Sequence, residues 1–353
     1  MNRLLSLFLV LPIGVYAACS SSSGGDPAAA PAPMPGTDGD AAVSGDANAP
    51  EGDAAIVPPG ETTKNPIEGI APAKIAIDTG AFTSGPIWSV KESVLFFTTP
   101  LGAGALYRLK PDGTATKVRD GIAGELPIGN TIDKAGNLFT IEAKRITRSS
   151  TSADAGAPTV IASSYDEVGA DAGPTAFDTL KDAVVGATGT IYATDPGYFS
   201  TPIANHIFRI TPAGKVVVVE AFPDVPRPNG LALAPDGKTL YLGFTQPMQG
   251  TKPFIRKYVV NADGTLGANS KFVELDTDTQ PDGIEVDQGG NVFVATKAGI
   301  TVFKSDATKI GVVAVPEQPT ACAFGGADLK TLYITTQGTH IYQITTNVAG
   351  IVQ

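Results

Sequence analysis

The stretch Pro228-Asn229-Gly230-Leu231-Ala232-Leu233-Ala234-Pro235-Asp236-Gly237-Lys238-Thr239-Leu240-Tyr241 decides the fold of this 353-residue chain. It reads as a short apolar run, a Pro-Asp-Gly-Lys turn and a second run with β-branched and aromatic character. The same order returns as Pro281-Asp282-Gly283-Ile284-Glu285-Val286-Asp287 followed by Gly290-Asn291-Val292-Phe293. It returns again as Leu180-Lys181-Asp182-Ala183-Val184-Val185 followed by Gly189-Thr190-Ile191-Tyr192. Weaker copies begin at Ser84-Gly85-Pro86-Ile87-Trp88, Ile128-Gly129-Asn130-Thr131 and Thr320-Ala321-Cys322-Ala323-Phe324.

A third element also repeats, as Leu106-Tyr107-Arg108-Leu109, Ile207-Phe208-Arg209-Ile210 and Ile341-Tyr342-Gln343-Ile344. Each unit is therefore strand, turn, strand, loop, strand. Six units of about 48 residues occupy 66–353, a length that suits a propeller blade better than a sandwich. The fold expected is all-β, a six-bladed β-propeller. Ala73-Lys74-Ile75-Ala76-Ile77-Asp78 precedes the first copy as a lone alternating strand, suited to closing the ring by pairing with the last blade. The Ala/Ser/Asp-rich stretch 149–177 reads as a longer surface loop.

Composition narrows the partners. With 42% hydrophobic and 17% charged residues the chain has material for a core, and 40 Gly with 28 Pro supply its turns. A net charge of −10 argues against binding nucleic acid, which needs a basic face. It leaves calcium, neutral sugars and small esters open. Two Cys and two His leave little for a Cys/His zinc site. Walker, HExxH, GxSxG and CxxC patterns are absent from the sequence.

Ahead of the repeats, Asn2-Arg3 and an apolar run over 4–16 end in Ala17-Ala18-Cys19. This resembles a bacterial lipoprotein signal, with Tyr16 departing from the usual aliphatic residue. The run is too short to span a bilayer. Residues 1–18 are expected to be removed, with Cys19 lipidated. Ser20 in place of an Asp favours an outer-membrane lipoprotein facing periplasm or exterior. Residues 19–65 are rich in Ala, Pro, Gly, Ser and Asp and read as a disordered tether. The membrane is then reached through the lipid alone, and a monomer is expected.

The repeats resemble the SMP-30/gluconolactonase/LRE-like family across 66–353. The resemblance is carried by Arg227-Pro228-Asn229-Gly230, Gln280-Pro281-Asp282-Gly283, Ala193-Thr194-Asp195-Pro196 and Phe324-Gly325-Gly326-Ala327-Asp328. It implies a six-bladed propeller with a divalent cation, calcium or zinc, at the top of the channel. It also implies hydrolysis of sugar lactones or related esters, the metal activating water and an Asp serving as general base.

The residues entering the innermost strands in repeat register are Ser84, Ile128, Lys181, Asn229, Asp282 and Thr320. Asn229 and Asp282 match two metal ligands of the family, and Asp282 its base. Ser84 replaces the family Glu, and Lys181 stands where the family has Asn. That makes the centre about two charges more positive, against a divalent cation.

Three readings stay open. In one, Asp182, Glu285 or water completes a weakened metal site. In the second, Lys181 replaces the cation as electrophile and pairs with Asp282. In the third, the propeller is non-catalytic and binds a small ligand or a partner protein. Asp182, Arg227 and Glu285 are candidate contacts for a lactone, ester or sugar. His206 and His340 are expected at the rim, while Trp88 and Cys322 are expected in the core.

Overall fold

The structure, a computed structural model, describes residues 63–352 apart from 103, 122–124, 153–155, 167–172, 199–204, 223–226 and 246–251. The signal-like segment, Cys19 and tether residues up to 62 lie outside the described residues.

Six four-stranded antiparallel sheets follow one another in chain order. Their innermost strands are Ser84–Ser89, Pro127–Ile132, Asp182–Val185, Arg227–Leu233, Ile284–Val286 and Pro319–Gly325, and they neighbour one another in a ring. This is the six-bladed propeller. Lys74–Asp78 pairs antiparallel with His340–Thr345, Asp78 opposite His340, so the sixth blade takes its outer strand from the start of the ring.

The core lies between blades. Ile141 and Ile146 of the second blade pack with Ile191 and Phe208 of the third, all essentially without solvent contact. Adjoining sheet faces bury their alternate side chains in this way. Trp88 stacks on Tyr333 at 5.8 Å across the seam between the first and sixth blades.

Each blade carries one strand more than the three-strand repeat in the sequence. The outer strands, such as Ala115–Asp120 and Leu266–Glu274, are largely exposed. Solvent-facing edges need no apolar pattern, so they left little periodic signal. The stretch 149–177 is correspondingly more than a surface loop. Thr159–Ala162 is the fourth strand of the second blade, and Ser164–Tyr165 pairs with Thr175–Ala176. Tyr165 and Phe177 are buried against Phe208, at 4.7 and 5.0 Å between ring centroids. His206 joins this cluster, buried and stacked on Phe208 at 5.3 Å, and is not at the rim.

Candidate functional site

The six ring residues are delivered by close packing of the inner strands. The residue following each is Gly85, Gly129, Asp182, Gly230, Gly283 and Ala321, small in five blades of six. A Cβ on Gly230 would stand 2.2 Å from the Asp282 carbonyl oxygen, so that strand contact has no room for a side chain. Backbone bonds cross the same seams, Gly230 N–H to Asp282 O at 3.1 Å and Gly283 N–H to Thr320 O at 2.9 Å. Threonine hydroxyls add to them, Thr98 to Ile128 O at 2.9 Å and Thr194 to Asn229 O at 2.8 Å.

Lys181 is placed by its lead-in. Asp195 accepts the backbone N–H groups of Asp178, Thr179 and Gly197 at 2.8 to 3.1 Å. Leu180 is fully buried, and Lys181 N–H reaches Thr194 O at 2.9 Å. Burial pushes the Asp195 carboxyl up despite these three donors, and its role is to hold the loop. Asp282 is placed by the reciprocal bonds of its blade, Asp282 N–H to Ala295 O and Ala295 N–H to Gly283 O, both 2.9 Å. Two residues earlier Gln280 has φ +47°, left-handed backbone uncommon for a residue with a side chain.

At the centre, Lys181 Nζ lies 3.3 Å from Asp282 Oδ1. Burial works against the Lys181 charge. Asp282, Tyr198 and Asp182 outweigh it, so the ammonium is held above the ordinary lysine range. Burial pushes the Asp282 carboxyl up, opposed by Lys181 and by the Asn229 amide.

Asn229 is buried, its Nδ2 donates to Pro281 O at 3.4 Å, and its Oδ1 is buried with no hydrogen-bond partner. A buried acceptor in that state calls for a donor from outside the protein. Ser84 is buried in its ring position and brings a hydroxyl where a carboxylate would serve a metal.

Asp182 is the exception in the small-residue layer. Its carboxylate accepts Ala183 N–H at 2.9 Å and Leu231 N–H at 3.3 Å, and burial pushes it up to about 7. With Glu285, Asn130 and Cys322 it lines a cavity of ≈ 30 Å³ in the channel. Glu285 is buried and accepts Val286 N–H at 3.0 Å. The Cys322 thiol, buried, is pushed well up by that burial.

Arg227 Nη1 donates to the carbonyls of Pro196 and Gly197 at 2.5 and 2.6 Å, and its guanidinium lies 5.0 Å from the Tyr198 ring centroid. Tyr198 interacts electrostatically with Lys181 and Asp282, and burial pushes its phenol up. The repeat pattern did not point to Tyr198, which stands in a loop without counterpart in the other copies. His340 opens the third strand of the sixth blade, beside the closing strand, and bonds to Glu317.

A divalent cation at the ring centre asks for several oxygen ligands, preferably anionic. The ring offers one carboxylate, one amide oxygen, two hydroxyls and an ammonium 3.3 Å from the carboxylate. That donor set does not fit a divalent ion.

An all-β ring of six blades with a polar centre at the channel mouth defines the class of protein. Residues 82–338 match the SMP-30/Gluconolactonase/LRE-like region, and the chain belongs to that family. It is 26% identical over 299 residues to the gluconolactonase of Zymomonas mobilis, covering 74% of this chain and 78% of that one. It is 28% identical over 261 residues to the pentonolactonase XacC of Haloferax volcanii, covering 72% and 81%. Among solved structures, the gluconolactonase XC5397 from Xanthomonas campestris superposes with a TM-score of 0.66 at 25% identity, covering 80% of this chain and 91% of that one.

Proposed function

We propose that this protein hydrolyses sugar lactones or related small esters, with the Lys181 ammonium in the electrophilic place that a metal fills elsewhere. Family membership and the lactonase relatives support the reaction class. The observation that carries the finer reading is the 3.3 Å contact between Lys181 Nζ and Asp282 Oδ1 at the ring centre.

The chemistry follows from those two groups. Asp282 accepts a proton from water, and the water oxygen attacks the lactone carbonyl carbon. Lys181 donates a hydrogen bond to the carbonyl oxygen as negative charge builds there. The ring C–O bond then breaks, giving a carboxylic acid and an alkoxide that must be protonated. Asn229 Oδ1 accepts a substrate hydroxyl. Asp182 adds to the field that keeps Lys181 charged, and with Glu285 it lines the small cavity among the inner strands.

The test is turnover of sugar and aliphatic lactones by the purified full-length chain, with and without chelator. Chelator-insensitive turnover abolished by Lys181→Met and by Asp282→Asn is the expected result. Turnover destroyed by chelator overturns the ammonium reading. No turnover with any added metal leaves a ligand-binding propeller as the better account.

We further infer that the chain is a lipoprotein of a bacterial envelope. Ala17-Ala18-Cys19 and the uncharged apolar run before it support this reading. Expressed in a bacterium, the chain should partition into detergent, and Cys19→Ser should release it to the aqueous phase. Aqueous partitioning of both forms would refute the anchor.

A further inference from the structure

We propose that Ile56-Val57-Pro58-Pro59, just ahead of the propeller and outside the described residues, docks in an apolar dimple on the face opposite the ring centre. Strand direction separates the two faces. The inner strands run away from the ring residues, so Ser89, Leu233 and Gly325 end on the far face. The third strand of the sixth blade, His340–Thr345, runs the same way and delivers Thr346 and Asn347 there.

The chain also enters the propeller on that face. Asn347 N–H donates to Pro66 O, and Asn347 Nδ2 donates to Asn65 O and Glu68 O, all at 2.9 Å. Ile67 and Ile70 pack beside this clasp on the core between the fifth and sixth blades. From Asn347 the chain runs on beneath the blades, where Gln288 N–H reaches Ala349 O and Gly350 N–H reaches Leu329 O, both at 2.8 Å.

The dimple lies at the end of this path. Ile351 and Val352 border it with Trp88, Val90 and Leu329, and Glu285 is the only charged residue in its lining. Val90 and Val352 are 51% and 55% exposed, so two aliphatic side chains face water around one concave spot. Clustered in this way, exposed aliphatics mark a contact surface. Leu329 takes φ +55°, left-handed backbone that a glycine would adopt without strain, yet the turn keeps an apolar side chain against the Trp88 cluster.

Composition and reach select the occupant. Between Cys19 and Thr63, Ile56-Val57 is the only pair of adjacent large aliphatic residues. Pro58-Pro59 favours an extended chain, which lowers the entropy lost on docking. Val57 stands eight residues ahead of Asn65, a span of about 26 Å when extended. Val352 stands five residues beyond Asn347, which holds Asn65, so the dimple is within about 17 Å of the clasp along the chain. The aliphatic pair reaches it with slack. Docked there, the segment keeps the N-terminal part of the chain off the face that carries Lys181 and Asp282.

The test is a cysteine trap in the full-length chain carrying Cys19→Ser, which leaves the buried Cys322 as the one native thiol. Val57→Cys with Val90→Cys should form a disulfide within one molecule under mild oxidation. Adding Ile56→Asp keeps the tether length and should slow that reaction by about tenfold or more, because docking raises the effective concentration of the two thiols. A rate unchanged by Ile56→Asp would overturn the proposal. So would a disulfide formed chiefly between two molecules, which would give the dimple to a second copy. Should the cysteine pair melt early, Trp88 decides, as the chain's only tryptophan and part of the dimple wall. Its quenching by acrylamide should rise when Ile56 and Val57 are both replaced by Asp, and unchanged quenching would overturn the proposal.

Discussion

Lys181 Nζ and Asp282 Oδ1 meet at 3.3 Å from the third and fifth blades, with 14% and 20% of their side chains exposed. Asn229 of the fourth blade lies between them in ring order. Removing one member of such a pair strands the other charge in a poorly hydrated centre. Lys181→Met or Asp282→Leu alone should cost about 3 kcal/mol, and the double variant should cost clearly less than the two losses added. Urea titration of the four proteins measures this. Additive losses would mean that the two side chains do not act as a pair.

The same pair governs the response to metal. The wild type should show no rise in melting temperature with calcium or zinc. Lys181→Asn combined with Ser84→Glu removes the ammonium and supplies a carboxylate, and should create such a rise. A cation at a hundredfold excess over its Kd contributes about 2.7 kcal/mol, which corresponds to about 5 °C or more in a body of this size. Adding Asp282→Ala should remove the gain. A wild-type rise that Asp282→Ala abolishes would restore the metal reading.

The ring was legible in the sequence because its inner strands repeat, and repetition fixes register. That register groups Lys181, Asn229 and Asp282, far apart in the chain, and Lys181 Nζ does lie 3.3 Å from Asp282 Oδ1. The closing strand Lys74–Asp78 was legible as the outer strand of the sixth blade, but the outer strands of the other five were not, since an exposed edge such as Ala115–Asp120 carries no apolar alternation. His206 is buried and not at the rim because Phe208 and Tyr165 cover it, and Tyr165 comes from a segment whose composition resembles a loop. Tyr198 escaped for the opposite reason to the ring residues. Its position depends on one long-range clamp from Arg227, and no pattern encodes a contact made once.

Asp182 should make stability fall as pH rises. Burial holds its carboxyl at about 7 in the folded protein, against an ordinary value of 3.8. Between those values the folded state keeps a proton that the unfolded chain has released, so each step up in pH favours unfolding. Asp287, pushed up to about 6 by burial, adds to the effect in the lower part of the window. Asp182→Asn imitates the protonated form. It should match the wild type near pH 4 and melt a few degrees higher at pH 8. A wild-type melting temperature that rises from pH 4 to 7, or an Asn variant that shadows it throughout, would sink this assignment.

Gly230 should be intolerant of the smallest side chain. Its added Cβ would stand 2.2 Å from Asp282 O and 2.6 Å from the Gly283 Cα, both backbone atoms that cannot rotate away. Gly230→Ala must therefore push the fourth and fifth inner strands apart and carry Asp282 with them. Overpacking of this kind costs about 1–3 kcal/mol. The lactonase rate should fall by more than tenfold, since displacement of catalytic groups by a fraction of their contact distance is expensive. Gly237→Ala is the control, because nothing stands within 4 Å of its added Cβ although its φ of +65° strains it. Its rate should hold even where its stability drops. Equal rates in the two variants would remove the tie between inner-strand spacing and the centre.

The ring closure carries its own pH response. His340 Nδ1 lies 2.7 Å from Glu317 Oε1, and its Nε2 lies 4.0 Å from Asp78 Oδ2 on the closing strand. Tyr342 flanks the ring at 5.9 Å. The bond to Glu317, with Asp78 adding to it, raises His340 above its ordinary value of 6.5. The folded state thus favours the charged imidazole, and the stabilisation is fully present below 6.5 and lost as pH rises through the raised value. Glu317 keeps its charge throughout, held low by bonds from Thr336, His340 and Thr339 that outweigh burial. The closing strand should loosen first, because Asp78 pairs directly with His340. Amide exchange over residues 74–78, corrected for the intrinsic rate at each pH, should lose protection between pH 6 and pH 9. His340→Gln should hold those residues at one reduced protection across the range. Protection that falls equally in the variant would locate the pH response elsewhere than in this clasp.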